Sequence, residues 1–95
     1  MKREKVESLE LAREKIDAID DALIELIATR QFYVDQAVRF KYTVQDVQAP
    51  QRVDEVILKV RTKAIERGLD PDLIESIYRE MIQHFIRREL KEIRP

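Results

Sequence analysis

The stretch SLELAREKIDAIDDALIELIATRQFYVDQAVRFK, residues 8–41, decides the fold. Leu9, Ala12, Ile16, Ile19, Leu23 and Leu26 recur in steps of three and four. That spacing makes the apolar seam of a helix packed against other helices. The next step falls on Arg30, after which the seam resumes through Val34 and Ala37 and ends on Lys41. No Gly or Pro interrupts it. One helix is therefore expected over residues 8–41, roughly 50 Å long at the usual rise per residue. The 54 residues that follow (95 less 41) are too few to cover a helix of that length, so a partner chain is expected.

Two cations thus stand where the pattern calls for apolar side chains. Arg30 and Lys41 are close to three helical turns apart, so they point the same way, roughly 16 Å from each other along the axis. Arg13 flanks the same seam, roughly 25 Å from Arg30 by the same rise. Buried unpaired charge is expensive, so something anionic is expected in the seam. It is either acidic side chains or an acidic ligand. In the structural alternative, these charges only set the register of packed helices.

The rest of the chain reads as two shorter helices. Residues 42–49 break the period and read as a loop. A second helix is expected over 50–67, with Pro50 in its first turn and Val53, Ile57, Val60 and Ala64 as its stripe. Arg67-Gly68-Leu69 reads as a helix end with Gly in the left-handed position. Asp70 and Pro71 restart the chain as N-cap and first helical residue of a third helix, expected over 70–93. Ile74, Ile77, Tyr78, Met81, Ile82, Phe85 and Ile86 give that helix a wide apolar face. Glu89 lies on the same face and is the acidic counterpart of the seam cations.

Composition bounds the answer. The chain has 95 residues, 44% hydrophobic and 39% charged, with one Gly and three Pro. This suits one small all-α domain over residues 1–95 and disfavours a sheet-rich one. Net charge is −1, so nothing marks the whole surface for nucleic acid or acidic membranes. With no Cys, disulfides and thiolate metal sites are excluded. The first ten residues are charged and lack an apolar run. Neither a signal peptide nor a membrane span is expected, and a cytoplasmic location follows by default. No glycine-rich phosphate loop, Ser/His/Asp arrangement or His/Cys cluster is present. If the chain is an enzyme, a reaction that rearranges one bound anion, stabilised by fixed cations, fits this inventory.

Here the residues resemble a family, the all-α chorismate mutases together with the related isochorismate pyruvate lyase. The resemblance spans residues 11–90. It rests on Ala12-Arg13-Glu14-Lys15-Ile16-Asp17-Ala18-Ile19-Asp20, on Arg30, on Arg39-Phe40-Lys41, on Ala49-Pro50-Gln51-Arg52-Val53 and on Gly68-Leu69-Asp70. It implies an intertwined helical homodimer whose two sites each draw residues from both chains. It also implies roles. Arg13 reaches into the partner's site to bind a substrate carboxylate. Arg30 holds the other carboxylate, and Arg52 helps to hold the pair. Lys41 donates to the ether oxygen and a carboxylate. Glu89 stands where many members carry a glutamine that donates to the ether oxygen, and Ile82 and Ile86 line the pocket. No cofactor is implied.

Two departures bear on the substrate. Val53 replaces an acid common in bacterial mutases, and Ala49 replaces an Asp. In both respects the segment 49–53 looks more like the lyase. The expected activity is rearrangement of chorismate to prephenate, with cleavage of isochorismate to salicylate and pyruvate as the alternative. A non-catalytic helical dimerisation module is the alternative of another class. It predicts protein acids paired with Arg30 and Lys41.

Overall fold

The computed structural model describes residues 2–92. They form three long helices and one short one: α1 (Leu9–Val38), α2 (Val44–Gln48), α3 (Pro50–Glu66) and α4 (Pro71–Glu92). No strand occurs among the described residues. The chain is all-α.

α1 begins at an N-cap, with the Leu11 N–H donating to Ser8 Oγ at 3.1 Å. It ends at Val38, three residues before the expected Lys41. Residues 39–41 tighten into successive i→i+3 bonds, from Arg39 to Gln36, Phe40 to Ala37 and Lys41 to Val38. This is a common way for a helix end to satisfy its last carbonyls. No residue of α1 is buried. The seam residues Leu9, Ile16, Ile19, Leu23 and Leu26 are all exposed, none by less than 44%. Two compact units divide the chain within α1: Val34 closes the first and Asp35 opens the second.

The expected loop at 42–49 is corrected by the structure, because it contains α2. Thr43 caps α2 with a complete capping box. Its side chain accepts from the Asp46 N–H at 3.0 Å, while Asp46 Oδ2 accepts from the Thr43 N–H at 3.2 Å. Both orphan donors are thereby satisfied. The core of the second unit is small. Val47 of α2, Ile57 and Ala64 of α3, and Ile82 and Phe85 of α4 are its buried apolar residues, where α4 packs against both α3 and α2.

The α3–α4 joint follows the sequence signals closely. Arg67 is the C-cap of α3 and Gly68 takes φ +75°. Leu69 N–H donates to the Ala64 carbonyl and Gly68 N–H to that of Ile65, which completes a Schellman motif. Asp70 then caps α4, accepting from the Asp72 N–H at 2.8 Å. Arg61 clips the two helices together through Asp72 at 2.9 Å and Glu75 at 2.8 Å. Arg79, and with it Arg61, holds the Glu75 carboxyl below its ordinary value. The end of the last helix expected at Ile93 lies outside the described residues.

Candidate active site

Lys41 stands in the tight turn after α1, and Glu89 lies on the inner face of α4. Lys41 Nζ donates to Glu89 Oε2 at 3.2 Å. The partners are unequally buried: the Glu89 side chain is 6% exposed and that of Lys41 24%. Glu89 is the one buried charged residue among the described residues. Its burial follows from its position, two turns beyond Ile82 on the apolar face. A carboxylate there is costly without a partner, and Lys41 is that partner. An ammonium has three donors. One is directed at Glu89, and the remaining two are available on the solvent side.

That side is an open cavity of about 690 Å³, lined by Lys41 and Arg52 together with Phe40, Asp46, Ala49 and Glu55, among others. Arg52 stands in the first turn of α3. The chain enters this turn through Ala49 at φ 37°, ψ 59° and Pro50 in the first helical position. Ala49 is the one non-glycine residue with positive φ among those described, a conformation that costs an L-residue about 1–2 kcal/mol. Arg52 meets Glu55 at 3.6 Å, with both side chains about 70% exposed. A pair so exposed holds the guanidinium weakly, leaving it available to an anion. Asp46 secures the other wall, accepting from the Tyr42 N–H at 3.0 Å. That bond, more than any other contact, holds its carboxyl below the usual range, with Thr43 and Lys41 adding to it.

The remaining expected residues fall elsewhere. Ile82 is buried in the core. Ile86 is half-buried and lines a second cavity of about 320 Å³, with Gln48, Val53, Asp54, Arg79 and Gln83. Neither is among the residues lining the larger cavity. Arg13 and Arg30 stand on α1 in the first unit, Arg13 exposed and Arg30 half-buried. Their spacing along the helix, roughly 25 Å, is too great for both to grip one small ligand. The structure thus brings Lys41, Glu89 and Arg52 together in the second unit.

Two contributors were missed in the sequence. Asp46 was legible in Thr43-x-x-Asp46, a capping-box pattern. Arg88 was not. Its guanidinium lies 5.4 Å from the Phe85 ring centre, with Nη2 at 3.8 Å from Asp35 Oδ2. Its Nη1 is buried without a hydrogen-bond partner. No group of His, Asp or Glu among the described residues is arranged to hold a metal ion. None of their helices is long and apolar enough to cross a membrane.

Residues 12–90 match the family described as chorismate mutase type II. This chain belongs to that family. Among its relatives is an isochorismate pyruvate lyase from Pseudomonas aeruginosa, 33% identical over 79 residues, which are 83% of this chain and 78% of the relative. Another is a T-protein from Enterobacter agglomerans, 31% identical over 80 residues, or 82% of this chain. The match spans about a fifth of that protein, 21% of its length. The type II match includes all the residues expected to form the site, from Arg13 to Glu89.

Proposed function

We propose that this chain is a chorismate mutase that works as an intertwined homodimer. The observation that carries this reading is the meeting of Lys41 and Arg52 on one open cavity, with Glu89 buried behind Lys41 at 3.2 Å. The substrate is a compact dicarboxylate. Holding its enolpyruvyl chain over its ring has an entropic and conformational cost, which arginine clamps offset. Arg52 and Arg30 supply the clamps from one chain, and Arg13 of the second copy completes the site. As the C–O bond breaks, negative charge grows on the ether oxygen. The free donors of Lys41 meet that charge, stabilising the transition state more than the ground state. Glu89 holds Lys41 in place when ionised. When protonated it becomes a second donor. No cofactor and no metal takes part, and the reading places the protein in the cytoplasm, away from membranes and nucleic acid.

The second reading is isochorismate pyruvate lyase. It is favoured by the 33% identity to a lyase over most of both chains and by Ala49 and Val53 in the turn that carries Arg52. The deciding experiment offers purified protein chorismate and isochorismate side by side. Prephenate supports the mutase, and salicylate with pyruvate supports the lyase. Turnover of neither would leave the non-catalytic dimerisation module, for which the Lys41–Glu89 pair is a counter-ion and nothing more.

A further inference from the structure

We infer that Asp35 and Arg88 are a positioning pair, a register key that fixes how the end of α1 meets α4 and so aims Lys41 at the cavity. The inference rests on the reading of Lys41 as the donor. Four charges from two elements are involved. Along the chain, Asp35 precedes Lys41 at the end of α1, and Arg88 precedes Glu89 on α4. The sign order is therefore opposite on the two sides. In the observed register each charge faces its opposite, Lys41 to Glu89 at 3.2 Å and Arg88 to Asp35 at 3.8 Å. Turned by one residue in one sense, α4 sets Arg88 against Lys41; turned in the other, it sets Glu89 against Asp35. Either turn puts a like-charge contact in place of a favourable one.

The Asp35–Arg88 bridge is long and partly exposed, so its own contribution to stability is small. Its effect lies in discrimination: it penalises the wrong register more than it rewards the right one. Arg88 is also unlike a solvated surface arginine. Its guanidinium lies over buried Phe85, and one of its nitrogens is buried without an acceptor. The ring contact holds the fork in place, and the unpartnered nitrogen is the hydration given up for it.

The test is a charge swap. Asp35→Arg and Arg88→Asp are made singly and together, with kcat, KM and thermal melting measured on whichever substrate the unaltered protein turns over. Each single variant is expected to lose roughly tenfold to a hundredfold in kcat, with KM changed less, since a displacement of about 1 Å at a reacting group has that effect. The double variant is expected to recover to within about threefold, as coupled pairs do. Crystal structures of the same variants read the Lys41–Glu89 separation directly. It should open in the singles and return in the double. Should a single variant fail to fold, Asp35→Asn and Arg88→Gln take its place. Single variants with unchanged kcat and unchanged separation would overturn the inference, as would a folded double variant no better than either single. If the unaltered protein turns over neither substrate, the proposed activity fails, and the separation alone still decides the register.

Discussion

Glu89 carries the sharpest test of chemistry. An ionised carboxylate accepts hydrogen bonds and a protonated one donates, while the ether oxygen of the substrate only accepts. If Glu89 donates, Glu89→Gln, whose amide also donates, should largely keep kcat, whereas Glu89→Leu should lose most of it. A Glu89→Gln variant as inactive as Glu89→Leu, with both folded, would reduce Glu89 to a holder of Lys41. Lys41→Ala should lower kcat by on the order of a hundredfold or more, with the protein still folded by circular dichroism. An unfolded variant with full activity per folded molecule would make the pair structural. Lys41 and Glu89 were legible because each interrupts an apolar period, and a charge in a stripe is conspicuous. Asp35 and Arg88 were not. They stand beside the stripes, where a charge reads as solvated, and only folding places Asp35 near Arg88.

The helices show the same division. Caps are local, so Pro50, Gly68 and Asp70 could be read directly. α2 escaped because five residues are too few to show a period, although its cap was written in Thr43 and Asp46. Thr43→Ala should cost about 1 kcal/mol in chemical denaturation. The Asp46 carboxyl is held below its ordinary value of 3.8. Its contribution is therefore fully present above that value and lost as pH falls through the lower folded value. Asp46→Asn should destabilise the protein at pH 7, and the difference from the unaltered chain should shrink towards pH 3. The two left-handed residues predict opposite signs. A Cβ on Gly68 meets nothing within 4 Å, so Gly68→Ala should cost only torsional strain, about 1–2 kcal/mol. At Ala49 the strain is already present. Ala49→Gly should relieve it, less about 0.5–1 kcal/mol of added chain entropy, a small net gain in melting temperature.

At the scale of the molecule, the proposed dimer explains why α1 exposes Leu9, Ile16, Ile19, Leu23 and Leu26 in one row. Light scattering at micromolar concentration should find two chains per particle, and a compact folded monomer would sink both the assembly and the shared site. Arg13→Ala and Arg30→Ala should each be nearly inactive alone. Mixed and allowed to exchange subunits, they should recover partial activity, because one of the two sites in a mixed dimer has every arginine. No recovery after confirmed exchange would count against sites shared between chains. The proposal of a partner comes from helix length and from the exposed row on α1. Its placement is not legible, since no periodicity within one chain states where a second chain lies. The bare flank of α1 also has a consequence in mass action. If thirty helical residues find their cover on another chain, folding and association become one equilibrium. The unfolding midpoint then climbs with protein concentration, and simple dilution acts on this protein as a denaturant.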